Sequence, residues 1–389
     1  MDTLAMKGII MPKGRRFVLP LVILIALSSA FFWNAYGKTT TEQHLFVEPD
    51  AGNKPVLDAL NNSKQSIWME IYLLSDKGVL QALKDARSRG VDVRILLEEH
   101  PFGGSGSIKA VLDELNRSNI SVRPSSPAFR LTHEKGIVID QKTALIMTLN
   151  QDFSAFNSNR EFGIIDTDPE DVSEVAKVFE DDWDRTTPNL TDSRLVWSPV
   201  NSRQRILGLI DSAKHTLRIE NEEMQDNQTE DHLIAAASKG VDVEVVMSPG
   251  QTGKDANAPG LKKIEVGGVK VNLVKSPYIH AKIIVADNST AFVGSENFSP
   301  TSLDRNRELG VLTQDPGVIS QLTTSFKKDW NEYKGVKQIS TQTTNHKSVE
   351  TTTNHRLLSQ SRLRHLPQKN KPKKPNKLLP LWSWLQAGS

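Results

Sequence analysis

His133 and Lys135 stand two residues apart with Asp140 five further on, and the same triplet returns as His280, Lys282 and Asp287. An imidazole that titrates near neutrality can trade protons or attack as a nucleophile, and an ammonium beside it can hold an anion. The offset of 147 residues also carries Asn150 onto Asn297, Asn159-Arg160-Glu161 onto Asn306-Arg307-Glu308, and Gly163 onto Gly310. It runs on without a gap through Asp168-Pro169 onto Asp315-Pro316, Phe179 onto Phe326, and Asp182-Trp183 onto Asp329-Trp330. A repeat kept for packing alone would preserve mostly apolar positions. This one also preserves imidazoles, amines and amides, so it carries chemistry.

The double motif resembles the phospholipase D superfamily, whose signature is H-x-K-x4-D followed after six residues by G-S-x-N. The second copy fits throughout, with Gly294-Ser295-Glu296-Asn297. The first departs: Met147-Thr148-Leu149-Asn150 keeps the amide and a hydroxyl but loses the glycine, which tolerates close backbone approach where Met does not. The resemblance spans residues 45 to 335. It implies an α/β fold of two similar lobes packed with pseudo-twofold symmetry, both motifs meeting in one cleft at their interface.

On a strand, residues two apart face the same way, so each His projects with its Lys. Asp140 and Asp287 fall on the opposite parity, which suits structural hydrogen bonds. If the substrate is a phosphodiester, Lys135, Lys282, Asn150 and Asn297 can neutralise the charge that grows on its nonbridging oxygens. One imidazole attacks phosphorus and forms a phosphohistidine. The other protonates the departing oxygen, then deprotonates the incoming water or alcohol. Glu161 and Glu308 are the expected orienting partners of the rings, with Ser295 and Thr148 in support. The residues leave the nucleophile open between the two rings; by resemblance to two-motif relatives it is His133, with His280 as acid and base. No metal or cofactor is required.

Both halves show the elements needed to position these groups. Strand chemistry at 65–72 and 215–220 is preceded by amphipathic stretches at 55–61 and 203–212 and followed by helical stretches at 78–89 and 229–239. Gly90 and Gly240 then end a helix and open β-branched runs to Leu97 and Met247. The motifs continue into Ile137-Val138-Ile139 and Ile283-Ile284-Val285, the apolar runs of strands buried on both faces. Two repeats of this order predict an α/β architecture, with lobes at 45–188 and 189–337.

The ends differ in kind. Lys7, Lys13, Arg15 and Arg16 precede an apolar run from Phe17 to Trp33, so residues 1–44 read as a cleaved signal peptide or a retained anchor, and the body is expected to be exported. Residues 338–389 carry nine Lys and Arg against one Glu, are rich in Thr, Asn and Pro, and read as a basic disordered tail. The chain as a whole is +2, so the body between these ends is acidic by nine charges. That disfavours nucleic acid, whose backbone is bound through Lys and Arg, though a basic cleft would still admit it. No cysteine is present, which excludes disulfides, thiolate metal sites and cysteine nucleophiles. The Gly103–Gly106 and Gly250–Lys254 clusters do not match a Walker loop. Phe102, Phe129 and Tyr278 are candidates for the cleft rim.

The expectation is a monomeric phospholipase D-type hydrolase that acts on glycerophospholipids at a membrane surface and releases phosphatidate. A cardiolipin-synthase-like phosphatidyltransferase and an exported nuclease are the alternatives.

Overall fold

The computed structural model describes residues 43–101, 105–250 and 255–332. The basic-apolar leader, Phe102, much of both glycine-rich clusters and the basic tail lie outside the described residues.

Two sheets of the same design dominate. The first runs in the order β1 (His44–Glu48), β7 (Asn159–Asp166), β6 (Thr143–Met147), β5 (Lys135–Ile139), β2 (Ser66–Ile71), β3 (Asp92–Leu97), β4 (Ser121–Pro124). The second repeats it one for one: β8 (Leu195–Ser198), β15 (Glu308–Thr313), β14 (Thr290–Gly294), β13 (Lys282–Ala286), β9 (Thr216–Asn221), β10 (Asp242–Met247), β11 (Lys270–Leu273). In each, the three strands at one end are parallel and the rest antiparallel. The short β12 (Tyr278–Ile279) comes from the second half of the chain but pairs with β7 of the first sheet, stitching the lobes together.

Helices follow the same rhythm: α1 (Lys54–Asn62), α2 (Lys77–Ser88), α3 (Ser105–Arg117), α4 (Phe153–Asn157) and α5 (Pro169–Asp184) in the first half. Their counterparts are α6 (Ser202–Ser212), α7 (Asn227–Ser238), α8 (Ala258–Val266), α9 (Pro300–Asp304) and α10 (Pro316–Glu332). Asp76, Asp168 and Asp226 begin α2, α5 and α7 by accepting a hydrogen bond from a backbone N–H of the first turn, which satisfies a donor the helix cannot.

Alternation along the central strands explains why they read as continuous apolar runs. Ile67, Met69, Ile137 and Ile139 face a core shared with α1 and α2; Ile219, Val243, Val245 and Ile284 face the equivalent core beside α6 and α7. The intervening side chains face a third core common to both lobes. There Trp68, Val138 and Ile146 meet Ile283, Val285 and Val293, with Phe179 of α5 and Phe326 of α10. Side chains of both sheets thus share one apolar interior, whose burial helps hold the lobes together.

Candidate active site

Asp140 and Asp287 sit where β5 and β13 end, each with a left-handed backbone (φ 53° and 51°). The carboxylate of Asp140 accepts from the N–H groups of Lys64, Gln65 and Ser66; that of Asp287 accepts from those of Lys214, His215 and Thr216. Each therefore pins the strand to the loop entering its neighbour, and these donors hold both carboxyls below their ordinary pKa despite partial burial. Neither points toward the histidines' end of its strand.

At that other end the lobes exchange parts. His133 Nδ1 lies 2.9 Å from Glu308 of the second lobe, and His280 Nδ1 lies 2.7 Å from Glu161 of the first. Backbone contacts enforce the exchange: the His133 N–H donates to Arg307 O (2.9 Å) and the His280 N–H to Arg160 O (3.2 Å). Each glutamate is held in turn. Thr148 Oγ1 donates to Glu161 (2.6 Å), while Ser302 Oγ and Asn306 Nδ2 donate to the second oxygen of Glu308 (2.6 and 2.9 Å). Ser295 and Thr148 also accept from the N–H groups of Leu309 and Phe162, so the two hydroxyls brace equivalent strand pairs. At the departing position, Met147 pairs with Gly163 in the ladder and packs its side chain into the first-lobe core. In the second lobe Gly294 faces Gly310, and a Cβ at Gly294 would stand 2.6 Å from the Gly310 Cα, so glycine is needed there.

The repeated arginines are buried beneath this network. Arg160 pairs with Asp329 on α10 (2.5 and 2.9 Å), and Arg307 with Asp182 on α5 (2.7 and 2.9 Å). Both bridges cross the lobe boundary and fix the strands that deliver Glu161 and Glu308. The Arg307 guanidinium also lies 4.3 Å over Phe129, which makes that ring a packing partner of the arginine.

Lys135 and Lys282 are buried, each with Nζ 2.5 Å from the carbonyl oxygen of its own histidine. Burial, reinforced by the charge of Lys282, pushes the Lys135 ammonium down to about 7. Burial and then the charge of Lys135 push His133 below the usual imidazole value, against the pull of Glu308. Lys282 also acts on His133, which places the two half-sites within one electrostatic field. Asn150 and Asn297 are buried at equivalent positions, each with a carbonyl oxygen that has no protein donor.

The repeat breaks at one pair of positions that spacing alone did not single out. Tyr72, just past β2, presents an edge to His133 (centroids 4.7 Å apart), and Lys135 Nζ lies 5.2 Å over its ring. The equivalent residue past β9 is Glu222. Its Oε2 lies 3.2 Å from His280 Nε2, 3.0 Å from Lys282 Nζ and 3.4 Å from Asn297 Nδ2, while Oε1 accepts from Tyr278 OH (3.3 Å). His280 therefore faces a carboxylate on each ring nitrogen, with Lys282 Nζ also 3.2 Å from Nδ1. Burial alone would raise Glu222, but His280 and Lys282 outweigh it and hold the carboxyl well below its usual range. Tyr278 goes the other way, raised by burial and by Glu222.

Two repeated α/β lobes with one H-x-K motif each, meeting across exchanged His–Glu pairs, define a phospholipase D-like architecture. The family described as "Cardiolipin synthase, PLD-like domain" matches residues 56–183 and again 206–330, and the chain belongs to it. Cardiolipin synthase 2 of Bacillus cereus is 25% identical over 338 residues, covering 75% of this chain; the chain spans 65% of that relative's length. Among solved structures, polyphosphate kinase from Porphyromonas gingivalis superposes with a TM-score of 0.60 at 16% identity, over 74% of this chain and 50% of that one. Phosphatidylserine synthase from Haemophilus influenzae gives 0.58 at 14% identity, over 75% of this chain and 86% of that one. At such identities the likeness to the solved structures is one of fold.

These relatives correct one expectation. Export was read from the leader, which lies outside the described residues; the long matches are to cardiolipin synthases, which gives export no support. Among the described residues no helix is long and apolar enough to cross a membrane.

Proposed function

We propose that the protein is a phosphatidyltransferase of the phospholipase D type, which passes a phosphatidyl group from one glycerophospholipid to an alcohol through a phosphohistidine. The observation that carries this is the exchanged pair of His–Glu contacts, which orients two imidazoles from opposite lobes in one site, made unequal by Glu222 beside His280 and Tyr72 beside His133. His133 is oriented by Glu308 through Nδ1, leaving Nε2 free, and burial keeps the ring neutral. It attacks phosphorus. His280, flanked by Glu161 and Glu222, holds the proton that the departing headgroup oxygen needs, and afterwards takes one from the incoming hydroxyl. Lys135, Lys282, Asn150 and Asn297 hold the nonbridging oxygens. Asp140 and Asp287 keep the motif strands in place without touching substrate.

The names of the long-matching relatives, cardiolipin synthases, support an alcohol as acceptor over the water favoured by sequence alone. With phosphatidylglycerol as both donor and acceptor, one phosphodiester bond breaks, one forms, and cardiolipin and glycerol result. Hydrolysis uses the same intermediate with water as acceptor and gives phosphatidate.

The test is to incubate the protein with phosphatidylglycerol vesicles, with and without added ethanol, in the presence of EDTA. Cardiolipin, or phosphatidylethanol when ethanol is present, is the expected product, and His133→Ala is expected to abolish it. Phosphatidate as the sole product would restore the hydrolase reading. Inert vesicles with single-stranded DNA degraded alongside would make the protein a nuclease.

A further inference from the structure

The two half-sites differ most where the repeat would place equal residues, at Tyr72 and Glu222. Three donors converge on one Glu222 oxygen: the His280 imidazole, the Lys282 ammonium and the Asn297 amide. These are the groups assigned above to a phosphate oxygen and its ester, so the carboxylate stands in the anion's place. The first half-site has no such plug: Tyr72 lays a ring beside His133 and Lys135, and an aromatic ring contributes no full negative charge. Glu222 is anchored from its far side by the Tyr278 hydroxyl, and its backbone carbonyl accepts from Asn257 Nδ2 (2.9 Å). The side chain is partly open to solvent.

We propose that Glu222 is a specificity-determining residue, a built-in competitor that occupies the phosphate seat of the second half-site and yields only to a phosphodiester carried by further contacts. This rests on the reading of His280, Lys282 and Asn297 as the holders of substrate phosphate. A free phosphate ion has only the seat itself to bind to, and it must displace or approach a like charge to do so. A phosphodiester carries one negative charge where free phosphate at pH 7 carries more, so Glu222 repels the free ion more strongly. The lipid's glycerol and acyl contacts offset what cost remains. The residue thereby biases the site against small inorganic anions and toward esterified phosphate. Tyr278 follows as its holder.

The experiment is isothermal titration of the full chain with inorganic phosphate at pH 7, comparing the wild type with Glu222→Gln, Glu222→Ala and Lys282→Met. Removing a like charge from contact with the anion is expected to tighten phosphate binding on the order of tenfold in both Glu222 variants. A protein that has merely lost structure does not gain affinity, and two variants guard against one that fails to fold. Lys282→Met is expected to abolish binding. Unchanged or weaker binding in both Glu222 variants, with Lys282→Met still abolishing it, would overturn the role of Glu222 and leave the phosphate seat standing. Phosphate binding indifferent to Lys282→Met, or absent from every protein, would overturn the seat and the proposal with it.

Discussion

Among the described residues, His133 contacts the carboxylate of Glu308 and the edge of Tyr72, while His280 contacts the carboxylates of Glu161 and Glu222. If both rings serve one covalent intermediate, His133→Ala and His280→Ala each lower kcat on the order of 10⁴-fold or more, and the double variant is little worse than either. Additive losses in vesicle turnover would separate the two rings into independent functions. The perturbed groups also shape the pH profile. A lowered His133 stays neutral, and so nucleophilic, at pH values below the ordinary imidazole titration near 6.5. Lys135 loses its charge as pH rises through about 7, which under the proposed mechanism weakens its hold on substrate phosphate. The kcat/KM of the free enzyme is therefore expected to rise below pH 6.5 and fall again near pH 7, while the alkaline limb of kcat moves upward because bound phosphate favours the ammonium. A flat kcat/KM from pH 7 to 9 would contradict this. The histidines, lysines and asparagines were legible because identity across the repeat marks them. Glu222 was not, because matching like with like is blind to a position where the two halves differ.

Strand β7 and the start of β15 with the residue before it each deliver an Arg-Glu pair across the boundary, the Glu to a histidine and the Arg to an acid on α10 or α5. Removing one partner of such a buried pair leaves the other charge stranded, at a typical cost of about 3–5 kcal/mol. Arg307→Met is thus expected to lower stability by about that amount, and activity further, because Glu308 follows it on the strand; denaturant unfolding measures the first. Glu48, at the end of β1, makes the opposite case. Its buried carboxyl oxygens have no side-chain donor, and burial raises it to about 8. A raised acid holds its proton in the folded state, so the stability it contributes is full below pH 4.5 and drains as pH rises toward 8. Glu48→Gln is expected to flatten the decline of stability over that window by roughly 1.4 kcal/mol per pH unit at most, visible in Tm against pH. The inner strands and their helices could be read from glycine stops and β-branched runs. The reciprocal bridges could not: Arg160, Arg307, Asp182 and Asp329 all repeat, yet spacing gives no sign that each arginine chooses the other lobe's aspartate.

Across the whole molecule, the shared core of Trp68, Val138, Phe179, Ile283, Val293 and Phe326 makes neither lobe's interior complete without the other. A fragment of residues 43–188 would expose that surface together with an unpaired Arg160 and Asp182. Differential scanning calorimetry of the full chain is expected to show one transition with equal calorimetric and van't Hoff enthalpies. Two resolved transitions would mean that the lobes are separable. The twofold plan of the fold was legible in the repeat because duplicated apolar patterns survive alongside duplicated chemistry. The threading of β12 into the first sheet was not, because two residues of extended chain carry no periodic signal.

The exchanged glutamates also bear on how the chain is made. Synthesis delivers His133, Lys135 and Asn150 long before Glu308, which stands on β15, the last strand among the described residues. A polypeptide that stops short of β15 therefore carries His133 without Glu308, and the ring gains that alignment only after β15 has been built and docked. If His133 attacks as proposed, that late docking is what arms the site, and a polypeptide without β15 presents an imidazole that lacks its orienting carboxylate.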